Sequence, residues 1–147
     1  MTKQIVTRLD TLINRIPGLL SQIDEAEFSL KPSPSKWSKK EILGHLIDSA
    51  ANNHQRFVRG QYEDIPTISY DQNAWNKLNH YQALNSKQLI AFWTVYNQHL
   101  LEIMKRIPQE NLLKKCRSED GNLLTIQFLM EDYVTHLEHH LKQLVTY

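Results

Sequence analysis

The chain has 147 residues, 41% of them hydrophobic, and its 17 lysines and arginines are balanced by 16 aspartates and glutamates. That amount of apolar sequence is enough for one domain over residues 1–147, while the interspersed charge argues against nucleic acid as a partner. With no secretory pattern, no apolar run of membrane length and Cys116 as its single cysteine, the chain is expected to be a cytoplasmic protein that binds no membrane.

Helical spacing of apolar residues dominates the stretches between the few glycines and prolines. A first helix is predicted over residues 3–15, with Pro17 either interrupting it or restarting a short turn through Ile23. A second begins at the sequence SKKE, where Ser38 is the predicted N-cap and the Glu41 side chain reaches back to it. Because glycine often ends helices, this helix is expected to stop at about Gly60.

The second half of the chain contains two more predicted helices, preceded by a long connection. Residues 61–81 are polar with scattered aromatic side chains and are expected to cross over the bundle. The sequence NSKQ then begins a helix through Ile107. The turn signal Asp120-Gly121 predicts a small hairpin, and a final helix follows over residues 125–145. Four long helices joined in this way predict an all-α fold, a four-helix bundle with one long crossover.

Three histidines lie within five positions of the last predicted helix, in the sequence DYVTHLEHHLKQL. His136 and His140 are one turn apart at the edge of the apolar stripe, whereas His139 points away from it. Histidines at this spacing suit zinc or nickel, but two ligands rarely hold a metal, and histidines at the rim of a core are often only hydrogen-bonded. The pair alone leaves both interpretations open.

The second predicted helix offers a third imidazole. One flank of it, here called the polar seam, carries polar side chains at successive turns: His45, Ser49, Asn52 and Arg56. The seam fits either a hydrogen-bonded interface between helices or the lining of a cavity beside the histidine pair. Three neutral imidazoles would leave a coordination position open, as in catalytic metal sites. The other histidines do not share these rim positions and are not expected to bind metal: His54, His80, His99 and His139.

Three stretches in this order, WSKKEILGHLIDSAANNHQRF, YDQNAW and THLEHHLKQL, resemble the DinB superfamily over residues 37–144. Within that superfamily they are similar to the YfiT-like metal-dependent hydrolases and to the bacillithiol-transferase-like proteins. The resemblance implies a four-helix bundle with one divalent metal ion, nickel or zinc, held by His45, His136 and His140. It also implies that Asp48, Asn52 and Arg56 continue the site from the first ligand and that Gln143 is a polar position after the last.

The resemblance further implies a metal-dependent enzyme whose partners are small molecules, a low-molecular-weight thiol and an electrophile that receives it. Asn52 and Arg56 are the expected catalytic residues, and the Arg56 guanidinium suits a carboxylate of the thiol. Two alternatives stay open: hydrolysis of a small ester or amide at the same centre, and a bundle that binds metal or another protein without catalysis. A homodimer is compatible with each of them.

Two further features have structural explanations that are more common than functional ones. Tyr70, Asp71 and Trp75 in the crossover are candidates for part of a lid, but aromatic residues of long loops usually pack over the core. Cys116 has basic neighbours that favour a thiolate, yet a lone cysteine is usually structural. We therefore do not expect Cys116 to be a nucleophile.

Overall fold

The computed structural model describes residues 2–147. Its helices and strands follow in this order: α1 (Thr2–Leu20), α2 (Glu25–Ser29), α3 (Lys39–Tyr62), α4 (Gln72–Leu78), α5 (Ser86–Arg106), β1 (Lys115–Arg117), β2 (Leu123–Thr125) and α6 (Ile126–Leu144). α1 and α3 each pack against both α5 and α6, so the four long helices form the predicted bundle, with α1 and α3 at opposite corners. Over residues 2–147, none of the helices is long and apolar enough to cross a membrane.

Three of the long helices begin where the sequence predicts, because a side chain caps each of them. The Ser38 hydroxyl accepts a hydrogen bond from the backbone N–H of Glu41, and the Glu41 carboxylate accepts one from the N–H of Ser38, which completes the capping box of α3. Asn85 caps α5 and Thr125 caps α6. These caps fix the positions at which α3 and α6 enter the bundle.

Two predicted helix ends are wrong. α1 continues through Pro17 to Leu20. The proline removes one N–H donor, but Ile16 and Leu20 are fully buried on either side of it, and this packing outweighs the lost hydrogen bond. α3 likewise continues two residues beyond Gly60. Gly60 does not end the helix. It allows the hairpin to pack closely against α3, since a Cβ there would lie 2.9 Å from the sulfur of Cys116.

The crossover between α3 and α5 contains a helix, α4, that the spacing of apolar residues does not predict. Asp71 is its N-cap, with a carboxylate that accepts hydrogen bonds from the N–H groups of Asn73 and Ala74. Asn76, inside α4, is buried and donates to the backbone oxygen of Glu41 at 2.8 Å. The crossover is thus fastened to the first turns of α3.

A buried carboxylate on α3 anchors the end of the crossover. Asp48 Oδ1 accepts hydrogen bonds from the Tyr81 hydroxyl at 2.5 Å and from the side-chain amide of Asn79 at 3.1 Å. Burial raises the pKa of this carboxyl to about 6, although the hydrogen bond from Tyr81 lowers it. The Tyr81 ring lies directly over Gly44, so the crossover meets α3 one residue before His45.

The predicted hairpin precedes α6 as an antiparallel pair in which Cys116 lies opposite Leu124. Gly121 in its turn has a φ of +82°, a left-handed conformation that glycine adopts without strain. Arg117 of β1 also forms a bridge with Thr67 of the crossover. The hairpin therefore ties the crossover to the start of α6.

Candidate metal centre

Helices α3 and α6 bring three imidazoles together. Candidate ligand atoms of His45, His136 and His140 all lie within 4.8 Å of one another. The ring centroids of the three pairs are separated by 4.6 to 5.0 Å. In the part of the chain that the structure describes, no second group of three histidine, cysteine or acidic side chains has this geometry. The fold thus assembles the three histidines that the sequence singles out, although 91 positions separate His45 from His136.

The spacing of the nitrogen atoms fits a divalent metal. The Nε2 atoms of His45 and His136 are 3.0 Å apart. Two nitrogen ligands at about 2.0–2.1 Å from zinc, with an angle of about 90–110° at the metal, lie about 2.9–3.4 Å from each other. Imidazole nitrogen is a good ligand for both zinc and nickel. The His45–His136 pair therefore has the spacing of two ligands of one ion, and His140 offers a third candidate ligand atom within 4.8 Å of both.

Burial keeps two of the imidazoles neutral. It lowers the pKa of His45 to about 4, with a smaller contribution from the nearby His140. It lowers the pKa of His136 to about 3, and the neighbouring histidines add to the effect. Because a metal binds the neutral form of imidazole, both side chains are ready to bind at neutral pH without first losing a proton.

The Nδ1 atoms of two of the imidazoles lie near a hydrogen-bond acceptor. His136 Nδ1 lies 3.4 Å from Ser49 Oγ, and His140 Nδ1 lies 3.1 Å from Gln143 Oε1. If each Nδ1 carries a proton and donates it to these oxygens, Nε2 keeps a free lone pair. That lone pair can bind a metal. The Nδ1 atom of His45 is buried and, within residues 2–147, has no hydrogen-bond partner. Ser49 and Gln143 therefore orient two of the three candidate ligands.

The structure does not bring the two expected catalytic residues to the histidines. Asn52 is buried two turns farther along α3 and donates to a backbone oxygen of the preceding turn at 2.9 Å. Arg56 lies eleven residues after His45, about 16 Å along the helix axis. Its guanidinium donates to Asn53 Oδ1 at 3.2 Å and to the backbone oxygen of Ile68 at 3.1 Å. Arg56 thus fastens the crossover to α3 instead of facing the imidazoles.

The remaining histidines do not belong to the three-histidine group, although the exposed His139 ring packs against that of His140 with centroids 4.9 Å apart. His54 Nδ1 is 3.0 Å from the Tyr96 hydroxyl, and the His99 ring is 5.3 Å from that of His54, between α3 and α5. His80 belongs to the crossover, and His139 is exposed on α6. None of these four joins the three-histidine group.

The other residues considered from the sequence make structural contacts. Tyr70 packs edge to face against Trp75, with ring centroids 5.5 Å apart, while Asp71 caps α4. Cys116 is only 2% exposed, and burial raises the pKa of its thiol although nearby arginines lower it. A raised pKa disfavours the thiolate, which agrees with a structural role for this cysteine.

Two cavities share Trp37, whose ring packs against His45, and sequence patterns did not reveal the residues that line them. Trp37 packs against the His45 ring at 5.0 Å between centroids and lines both cavities, together with Ser35 and Asn73. One cavity, of about 480 Å³, also includes Gln143 beside the centre. The other, of about 350 Å³, extends under the crossover. Both have the size of a small-molecule site.

The depressed histidine pKa values predict that the metal-free protein loses stability as the pH falls from about 6.5 to 4. In this range the unfolded chain protonates His45 and His136, with ordinary pKa values of about 6.5, whereas the folded chain does not. Asp48 opposes this trend, because its raised pKa makes the folded form take up a proton first. The net of one proton from these three groups corresponds to about 1.4 kcal/mol per pH unit, and His54, whose pKa burial also lowers, acts in the same direction.

Urea unfolding at pH 7 and pH 5 measures this effect. The wild-type protein should unfold at a lower urea concentration at pH 5, and the difference should shrink in His136→Gln, which lacks one of the two groups. Equal pH dependence in the two proteins would show that burial does not hold His136 neutral.

Removal of the Ser49 hydroxyl, the hydrogen-bond acceptor for His136 Nδ1, should weaken metal binding without abolishing it. In Ser49→Ala, the Nδ1 proton of His136 loses its acceptor, and the ring can adopt orientations that turn Nε2 away from the centre. Loss of such a contact typically reduces metal affinity about 10- to 100-fold. Competition with a chelating dye measures the change. Ser49→Thr, which keeps the hydroxyl, serves as the control and should retain most of the affinity.

The comparison with known families places most of the chain in one of them. A family model described as the DinB superfamily matches residues 8–144. A protein of Halalkalibacterium halodurans, provisionally named a metal-dependent hydrolase, is 23% identical over 137 residues, which are 92% of this chain and 80% of that protein. YfiT of Bacillus subtilis, with the same provisional name, is 20% identical over 136 residues, 88% of this chain and 76% of its own.

Solved structures of similar shape support the same assignment of the fold. The YfiT structure from Bacillus subtilis, described as a probable metal-dependent hydrolase with an unusual four-helix bundle topology, has a TM-score of 0.88 at 17% identity and covers 97% of this chain and 83% of that one. A mycothiol-dependent maleylpyruvate isomerase has a TM-score of 0.81 at 14% identity, over 98% of this chain and 60% of that one. Since the family match spans nearly all of the sequence, the chain belongs to the DinB superfamily.

Proposed function

We propose that the protein is a metal-dependent enzyme that joins a low-molecular-weight thiol to an electrophile. The three-histidine centre carries the proposal, because three imidazoles would leave coordination positions free for a substrate. The provisional names of the relatives support a metal-dependent activity, and the isomerase of similar fold, which depends on mycothiol, supports a thiol as one substrate.

The residues around the centre have separate tasks in this reaction. Zinc or nickel, when bound, lowers the pKa of a thiol or a water molecule beside it. His45, His136 and His140 hold the ion, while Ser49 and Gln143 keep two of the rings in orientation. The sulfur forms a bond to the electrophilic carbon, the thiol proton passes to solvent, and the leaving group departs with the electron pair of the bond that breaks.

Hydrolysis of a small ester or amide is the second candidate. The same open position accepts water as well as a thiol, and the provisional names of the relatives favour this reaction. It requires no second substrate. A bundle that binds metal without catalysis is the third candidate, and it predicts no turnover with either class of substrate.

The test uses the zinc- or nickel-loaded protein with monochlorobimane, whose chloride is displaced by thiols to give a fluorescent product. Thioether formation should exceed the uncatalysed rate with 2-mercaptoethanol or glutathione, vanish on chelation, and return when metal is added. His139→Gln should behave like the wild-type protein, and His136→Gln should be inactive. Metal-dependent cleavage of p-nitrophenyl acetate without any thiol, together with no bimane product, would favour the hydrolase. No turnover in either assay would favour the non-catalytic bundle.

A further inference from the structure

Two buried polar atoms on α3, one turn apart, have no hydrogen-bond partner. Within residues 2–147, the buried side-chain atoms without a partner are Nδ1 of His45, Oδ2 of Asp48 and Nε1 of Trp93. His45 is 2% exposed and Asp48 is 1% exposed, so bulk solvent does not reach the two atoms on α3. Because folded proteins rarely leave buried polar atoms unpaired, each of these two requires an explanation.

The two atoms on α3 are chemically complementary. His45 Nε2 lies 3.0 Å from Nε2 of His136, so this nitrogen faces the centre. When Nε2 binds a metal ion, the proton of the neutral ring is on Nδ1, which is then a donor. Asp48 Oδ2 is an acceptor, whereas the indole nitrogen of Trp93, on α5, can only donate. Of the three unpaired atoms, only Asp48 Oδ2 can therefore accept the hydrogen bond of His45.

The fold also places the carboxylate near the imidazole. Asp48 follows His45 by three residues, and residues at this spacing are neighbours on the surface of a helix. Helical side chains lean toward the N-terminus, so the carboxylate of Asp48 lies over the turn that contains His45. The contacts of Tyr81 agree with this direction, because its ring lies over Gly44 while its hydroxyl donates to Asp48 Oδ1.

We propose that Asp48 is a positioning residue for His45, whose Nδ1–H donates to Asp48 Oδ2 directly or through one water molecule. This inference rests on the metal centre of the proposed function. It gives His45 the kind of acceptor that Ser49 and Gln143 supply to the other two imidazoles. A carboxylate acceptor fixes the orientation of the ring and makes it a more basic ligand. Since Oδ1 of the same carboxylate binds the crossover, the crossover in turn fixes Asp48.

Asp48→Asn tests the role of Oδ2 and leaves the other oxygen in place. The asparagine oxygen can still accept the hydrogen bonds of the crossover at the position of Oδ1. Its NH₂ group then replaces Oδ2, so that two donors face each other at His45 Nδ1. The affinity for zinc should fall about 10- to 100-fold, as measured by competition with a chelating dye. Circular dichroism of the metal-free variant verifies that the bundle is folded.

Tyr81→Phe is the matched control, because it removes a donor to Oδ1 and leaves Oδ2 unchanged. This variant should unfold at a lower urea concentration, since the crossover loses a contact with α3, but it should bind zinc about as tightly as the wild-type protein. Equal losses of zinc affinity in Tyr81→Phe and Asp48→Asn would show that Asp48 only anchors the crossover.

Nuclear magnetic resonance of the zinc-loaded protein with ¹⁵N-labelled histidine observes the proposed contact itself. The Nδ1 proton of His45 should resonate far downfield and exchange slowly with water, as expected for a buried N–H bonded to a carboxylate. In Asp48→Asn this signal should move upfield or disappear. The Nδ1 signal of His136, which has Ser49 as its acceptor, should stay unchanged and serves as the internal reference.

A second background shows whether Asp48 acts through His45. In His45→Gln, the additional change Asp48→Asn should cause no further loss of zinc affinity, because the ring that it orients is absent. The same loss in both backgrounds, or wild-type affinity in Asp48→Asn, would overturn the inference. If the wild-type protein binds zinc and only these variants fail to respond, the three-histidine centre stands. Absence of zinc binding by the wild-type protein would overturn the metal centre and this inference together.

Discussion

Substitution of His136 by alanine should lower the affinity for zinc or nickel more than about 100-fold. Loss of an outer hydrogen bond costs about 10- to 100-fold, and removal of a ligand is more severe because only two imidazoles remain. His136 also connects the two helices of the centre, since its Nε2 lies 3.0 Å from that of His45. Competition with a chelating dye measures the affinity, and circular dichroism verifies that the bundle is still folded.

His139→Gln is the matched control for that experiment. It lies on the same helix, three residues farther along, but its side chain is exposed and does not belong to the three-histidine group. Its metal affinity should therefore equal that of the wild-type protein. Similar losses in His136→Ala and His139→Gln would mean that the face of α6 has been assigned incorrectly.

Alanine at Gly44 should be the most destabilising of the glycine-to-alanine changes in this protein. A Cβ at this position would lie 2.2 Å from the Cγ and Cδ2 atoms of the Tyr81 ring. The ring cannot move away freely, because its hydroxyl is bonded to Asp48. Overpacking of this kind typically costs about 1–3 kcal/mol, and we expect a loss near about 3 kcal/mol in the free energy of unfolding, measured with urea.

Gly18→Ala provides the comparison for this loss. Gly18 also lies within a helix, but a Cβ there meets nothing within 4 Å. Alanine should make the protein more stable by about 0.5–1 kcal/mol, as in an ordinary helix interior. Introduction of Tyr81→Ala into Gly44→Ala should cost less than Tyr81→Ala alone, because it removes the clash. Equal stability of Gly44→Ala and Gly18→Ala would disprove the contact between the crossover and α3.

The parts of the fold that depend on local signals could be predicted from the sequence. The capping box at Ser38 and the stripe of apolar residues in α6 specify where these helices begin and which face is buried. Pro17 and Gly60 misled the prediction, because the usual effects of proline and glycine on helices were overridden by packing that only the folded structure contains. Helix α4 is short and depends on its cap at Asp71, so periodicity gave no signal for it.

In the candidate site, too, local sequence signals could be predicted, whereas tertiary contacts could not. Spacing on two helices identified His45, His136 and His140, because residues one turn apart share a helix face. The polar seam also includes Arg56, but residues on one face of a helix grow farther apart by about 5.4 Å with each turn, so Arg56 lies far along α3 from His45. Trp37 belongs to a loop, and its contact with His45 follows from tertiary packing that no sequence period encodes.

Anomalous diffraction from crystals of the protein loaded with zinc tests the central claim most directly, because it locates the ion without reference to activity. We expect one strong peak between α3 and α6, with Nε2 atoms of His45, His136 and His140 at about 2.0–2.1 Å and at least one further position open to solvent. A strongest peak at His54 and His99, or full loading of the protein with no density among the three histidines, would contradict the account.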